Sequence, residues 1–126
     1  MKPLRIPVSL GELIDKITIL AIKAERLSEP AAANVRQELA LLEAVLEAAD
    51  LAPDPALVEE LREVNRTLWE IEDTIREHER QGDFGAGFIA LARAVYRTND
   101  RRAALKRCFN ERHGSPLIEE KSYSAY

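Results

Sequence analysis

The sequence predicts an all-α protein, an up-down-up-down four-helix bundle with a C-terminal extension, and three observations carry that prediction. Apolar residues recur every three or four positions along four segments. Each segment opens or closes on a residue that starts or stops helices. No stretch alternates apolar and polar residues with the period of two that a half-buried strand needs. Short connections make consecutive helices antiparallel neighbours. A chain of 126 residues has the size of one domain with one core, so residues 1–126 read as a single helical unit.

The first helix is expected over about residues 9–28. Ser9-Leu10-Gly11-Glu12 has capping-box spacing, with Ser9 accepting from the Glu12 amide and Glu12 reaching back. Leu13, Ile17, Leu20, Ala24 and Leu27 then form a core-facing seam. The second helix, about 30–50, opens at Pro30, whose missing N–H would be unpaired in a first turn anyway. Its seam is Val35, Leu39, Leu42, Leu46 and Ala49, and Asp50-Leu51-Ala52-Pro53 stops it. Asp54-Pro55 caps and opens the third helix, about 54–80, along Leu57, Leu61, Val64, Leu68, Ile71 and Ile75. A turn over Gln81–Gly85 leads to the fourth, about 85–113, closed by Gly114. No Pro or Gly interrupts that helix after Gly87, so it should run unbroken through Asn99-Asp100. The tail, residues 114–126, cannot extend it past Gly114-Ser115-Pro116.

Composition narrows the function classes. A formal net charge of −4 argues against a nucleic-acid coat. The longest apolar run, Ile17 to Ile22, is far short of a membrane span. Met1-Lys2-Pro3 leads into no continuous apolar stretch of the kind that builds a signal peptide, so the expected location is cytoplasmic. The single cysteine, Cys108, excludes an internal disulfide and a cysteine-based zinc site, and beside Phe109 it reads as a core residue.

One helix face changes character. On helix four, Phe88, Leu91, Ala92 and Val95 share the inner face, which then passes through Asn99, Arg102 and Lys106 before returning to Phe109. Buried amides and charges without partners cost several kcal/mol, so something meets these three. In a hairpin, residues of helices three and four whose numbers sum to about 164 lie at one height. Asn65 then faces Asn99, while Glu59, Glu60 and Glu63 lie near Arg102 and Lys106. The start of helix one comes to the same end and brings Glu12, Asp15 and Lys16. Residues 54–80 carry nine acids against four bases, and residues 84–113 seven bases against two acids, which makes the two helices electrostatic partners.

Two readings follow. Either these groups are interhelical ion pairs that hold the bundle, or Asn65, Asn99, Arg102 and Lys106 bind an anionic or multiply hydroxylated small molecule. A strip of Asn65, Trp69, Glu72 and Arg76, stacked by helical spacing, flanks this region. Trp69 there covers a core edge or serves as a stacking wall, and Tyr96 stands near the same layer. The candidate ligand-binding set is therefore Asn65, Trp69, Glu72, Arg76, Tyr96, Asn99, Arg102 and Lys106, with Glu12, Asp15 and Lys16 behind them.

The blocks SLGELIDKITIL, LWEIEDTIR, FIALARAVYRTND and EEKSY, in that order, resemble a small bacterial family of unknown function, a domain of about this length. The family occurs alone and fused to larger proteins that look like glycosyltransferases or other polysaccharide-modifying enzymes. The resemblance covers nearly the whole chain. It implies a setting in cell-surface carbohydrate work and brings no activity or catalytic residue with it. Its blocks contain Glu12, Asp15, Lys16, Trp69, Glu72, Asp73, Arg76, Tyr96, Asn99 and Asp100.

Several chemistries fail on spacing. Helical nucleotide pyrophosphohydrolases converge carboxylates from two helices on a metal ion. Here Glu60-x-x-Glu63 and Glu70-x-x-Asp73 share one helix, roughly 15 Å apart. A helical chorismate mutase would need an acid where Thr18 stands and an arginine spacing that is absent. His78 lies between Glu77 and Glu79, which point to different sides, so no metal set is read. Gly82 to Gly87 is a turn and a helix start, and no cofactor-binding motif occurs.

Contacts with partners have two candidate surfaces. Ile19 and Ile22 lie off the helix-one seam, where they either widen the core or meet a second copy. Leu117, Ile118, Tyr123 and Tyr126 make a solvated tail unexpected, so the tail either packs across the bundle's end or docks a partner protein. The leading expectation is a cytoplasmic binding or accessory module beside surface-polysaccharide biosynthesis. The alternative is a small all-α enzyme or receptor, with Asn99, Arg102 and Lys106 as anion holders and Glu12 or Glu72 as a general acid/base.

Overall fold

A computed structural model describes residues 1–126. The fold is an all-α four-helix bundle: α1 Leu10–Arg26, α2 Ala31–Ala48, α3 Pro55–Gln81 and α4 Ala86–Arg112. No helix is long and apolar enough to cross a membrane.

The local signals place the helix ends within a few residues of expectation, as fraying permits. Ser9 caps α1, its Oγ accepting from the Glu12 amide at 3.2 Å. Glu12 does not complete the capping box, because its carboxylate is drawn to Lys106 and Lys16. Pro30 sits just before α2 rather than inside it. Asp54 caps α3, and Gly82 closes it at φ 68°, a left-handed conformation that costs glycine nothing. Residues Thr98 to Asp100 lie inside an unbroken α4.

Three helices build the core. Leu10 and Ile14 of α1, Leu57, Leu61, Val64 and Leu68 of α3, and Leu105 and Phe109 of α4 form one buried cluster, with Cys108 packed against it. These residues come from the N-terminal parts of α1 and α3 and the C-terminal part of α4, so the core occupies one end of the bundle. α1 has 17 residues against 27 in α3 and α4. At 1.5 Å per residue it is roughly 15 Å shorter, and the turn end of the α3/α4 hairpin projects past it. The apolar face of α4 there, Phe88, Leu91, Ala92 and Val95, is half-buried for that reason.

α2 departs from the ideal bundle. It lies beside α1, with only the Leu46 side chain reaching the core cluster. Its expected seam does turn inward, yet Val35, Leu39, Leu42 and Leu46 are only half-buried and Ala49 is exposed. Periodicity fixes which face a helix hides and carries no information on how many helices meet that face. On α1, the inner face includes Ile22, which is 1% exposed. That corrects the reading of Ile22 as part of a surface for a second copy: a side chain closed off within one chain has no area left to offer. Ile19 is half-buried and lines a cleft.

Candidate functional site

The polar residues of α4 meet α1, not α3. Asp15, 1% exposed, projects from α1 between the two longer helices. Arg102 grips it with two parallel bonds, Nε to Oδ1 at 2.9 Å and Nη2 to Oδ2 at 2.5 Å. Asn65 of α3 donates its amide to Asp15 Oδ1 at 3.0 Å and to Thr18 Oγ1 at 2.9 Å. Thr18 in turn donates to the Asp15 carbonyl. Lys106 donates to Glu12 at 2.7 Å and to Glu119 of the tail at 2.8 Å, with Asp15 3.9 Å away. No buried side-chain nitrogen or oxygen is left without a partner.

Close approach of α1 and α4 makes this network possible. A Cβ at Gly11 would lie 2.3 Å from the Lys106 carbonyl oxygen, so only glycine fits. Asn110, one turn beyond Lys106, accepts from the Gly11 amide at 2.7 Å and satisfies a first-turn N–H of α1. The Asp15 hydrogen bonds push the Arg102 guanidinium above its ordinary value. Burial draws the Lys106 ammonium down, and its bonds to Glu119 and Glu12 more than reverse this. Beside Lys106 and Lys121, Glu119 is held at about 2.

The expected partners of these bases were different. Glu59, Glu60 and Glu63 stand at the right height on α3 but on its exposed side. Glu59 and Glu63 pair within their own helix, with Arg62 and Arg66. The complementary charges of α3 and α4 meet only peripherally, at Asp54 and Arg112. A hairpin sum rule fixes height and says nothing of rotation about the helix axis.

Above the network an open cleft of about 510 Å³ lies between α1, α3 and α4. Trp69 and Leu68 form its apolar side with Ile19. Glu72, Asp73 and Arg76 continue the α3 wall, Asn99 and Arg102 face them from α4, and Asn65 lies at the junction with the network. Asn65 and Asn99 both line the cleft without bonding each other, since Asn99 accepts a long 3.5 Å bond from Arg102.

Six of the eight candidate residues thus come together: Asn65, Trp69, Glu72, Arg76, Asn99 and Arg102. Tyr96 does not join them. It sits 43% exposed on the flank of α4, its ring edge-on to Tyr126 at 5.1 Å. Lys106 lines a second, smaller cleft of about 280 Å³ with Asn99, Arg102 and the tail residues Glu119, Lys121 and Tyr123. Of the residues behind them, Asp15 anchors Arg102, Glu12 is held by Lys106, and Lys16 is exposed beside Glu12.

Asp73, named among the polar positions of the family blocks and left out of the candidate set, is a wall residue too, one turn after Trp69 and open to the same helical argument. Gly11, inside a first turn, also carried a signal, that of close backbone approach. Glu119 carried none, because an irregular tail has no periodicity. The tail does not cross the bundle's end. It runs back along α4, through Glu119–Lys106, Glu120–Arg107 and Tyr126–Asp100 contacts. The carboxylates around Lys106 are neutralised by bases, and no group of three His, Cys, Asp or Glu residues is arranged to hold a metal ion.

Fold and geometry define an all-α bundle with an open cleft of mixed charge beside a buried Asp–Arg–Lys network. The chain belongs to the family of unknown function DUF6165, whose model matches residues 4–126. No curated protein and no solved structure matches the chain.

Proposed function

We propose that the protein is a cytoplasmic binding module for a sugar-like ligand, held in the Trp69 cleft, and that it serves as an accessory to surface-polysaccharide enzymes. The composition of the cleft carries this reading. Its charged side chains balance, Glu72 and Asp73 against Arg76 and Arg102, and two amides and one indole complete the polar lining. Balanced donors and acceptors beside a flat aromatic face suit a ring with many hydroxyls and one apolar side. A polyanion would meet two carboxylates. Arg102, already bonded twice to Asp15, has little to give it.

The setting beside polysaccharide enzymes draws support from the resemblance to bacterial proteins fused to glycosyltransferase-like partners. A role for Glu12 as a general acid/base is not supported, because Lys106 and Lys16 hold its carboxylate away from the cleft. Trp69 is the only tryptophan in the chain, so its fluorescence reports this cleft alone. Titration with neutral sugars should shift that emission and raise the melting temperature, as ligands of the native state do. Inorganic phosphate should do neither. A response to phosphate that sugars fail to reproduce would replace this reading with an anion receptor.

A further inference from the structure

We infer that the small cleft under the C-terminal tail is the anion subsite of the Trp69 cleft. It takes the carboxylate of an acidic sugar, and Glu119 occupies that position from within the chain until the ligand displaces it. The inference rests on the sugar-binding reading above and adds to it a substrate class and a competitor.

Continuity is the first argument. Asn99 and Arg102 line both clefts, so a ring against Trp69 has a substituent path over these two side chains to Lys106. Donor capacity is the second, since an ammonium has three N–H donors and Lys106 gives one to Glu12 and another to Glu119 of the tail. Inside the bundle, Arg102 and Lys106 are already matched by Asp15 and Glu12. Glu119 is a third carboxylate, delivered by a segment without regular structure, on a Lys106 side chain that is only 10% exposed. Its position is built by the bundle and filled by the tail.

The filling is weak. Leu117, Ile118, Tyr123 and Tyr126 are each at least 41% exposed, so the tail buries little apolar surface. Apart from the Glu119–Lys106 pair itself, an exposed Glu120–Arg107 pair, the Tyr126–Asp100 bond and the edge of the Tyr96 ring hold it, and such exposed contacts contribute little. Lys121 and Tyr123 line the small cleft and leave with the tail, which opens the subsite. A single carboxylate restores the charge that Glu119 withdraws. A phosphate dianion would add charge beside Glu12, Asp15 and Asp100.

The test is a nuclear magnetic resonance titration of the full chain with glucose and with glucuronate, sodium chloride matching the ionic strength. The one indole N–H signal, Trp69, reads the cleft, and heteronuclear NOEs of residues 119–126 read tail docking. Glucose should move the indole signal alone. Glucuronate should move it and also lower the tail NOEs to those of a free chain. Glu119→Gln should free the tail without ligand and tighten glucuronate binding about tenfold, the factor by which a docked tail populated about nine-tenths of the time would weaken it.

Glucuronate that moves the indole signal and leaves the tail docked overturns the inference while sparing the sugar-binding reading. Glucuronate that frees the tail while neither sugar moves the indole signal overturns the sugar-binding reading, and with it the claim that the small cleft extends the Trp69 cleft. Tail release matched by sodium chloride alone, or no response to either sugar, overturns the inference.

Discussion

Arg102 and Asp15 meet as two parallel hydrogen bonds, 2.9 and 2.5 Å long, with the carboxylate 1% exposed and the guanidinium reaching the wall of the cleft. The pair joins α4 to α1, and Asn65 adds α3 through the same carboxylate. One residue therefore belongs both to the scaffold and to the cleft, so what holds Arg102 in place also fixes the cleft's geometry. Bidentate bonding leaves the guanidinium little freedom to swing out.

Removing Arg102 leaves the buried Asp15 carboxylate with only Asn65 and a more distant Lys106, and removing Asp15 leaves a half-buried guanidinium without its acid. Arg102→Ala should lower stability by about 3 kcal/mol, read from urea midpoints. Asp15→Ala should cost a similar amount, and the double variant less than the sum, because each residue accounts for most of the other's need. A neutral Arg102→Ala would mean the pair is exposed in solution and contributes nothing to the fold.

Gly11→Ala tests the close approach beneath the network. The added methyl would meet the Lys106 backbone at 2.3 Å, and backbone cannot swing aside as a long side chain can. The expected loss is about 2 kcal/mol or more, despite the better helix propensity of alanine. Thermal denaturation measures it, and an unchanged midpoint would place α1 farther from α4.

Much of the fold was legible because helices announce themselves locally. Ser9, Asp54, Gly82 and Gly114 each mark an end through their own backbone chemistry, and the seam of α3 is buried at Leu57, Leu61, Val64, Leu68 and Ile71. The site was legible in part. Asn99, Arg102 and Lys106 stand out as polar groups on an inner face, which locates them without naming who meets them. Their partners are set by rotation of α1 and by an irregular tail, both tertiary facts. Asp15 is in the predicted set as a secondary residue and turns out to be the hub. α2 shows the same limit, its inner face correctly marked and its neighbours invisible.

That difference in neighbours is measurable. Leu61 is 0% exposed at the centre of the core, and Leu41 of α2 is 50% exposed. Leu61→Ala should cost about 2–5 kcal/mol, and Leu41→Ala less than about 0.5 kcal/mol. Comparable losses in urea unfolding would mean that α2 is covered in solution, by its own chain or another.

Tail docking should depend on pH from both sides, with signs that the geometry fixes. Glu119 docked on Lys106 sits at about 2, below the 4.5 of a free glutamate. A carboxylate depressed in the docked state supports docking above its free value and loses that support as pH falls from about 4.5 toward about 2. Tyr126 has the opposite sense. Its hydroxyl donates to Asp100, which raises it above the ordinary 10. That bond is present below pH 10 and is lost as the phenol ionises at higher pH. Heteronuclear NOEs of residues 119–126 should therefore form a plateau between these limits. Glu119→Gln should lower these NOEs at every pH, because the tail is then free throughout, and Tyr126→Phe should remove the alkaline transition while leaving the acid one. An acid transition that survives in Glu119→Gln would assign it to other carboxylates of the network, and Lys106 would not be the tail's anchor.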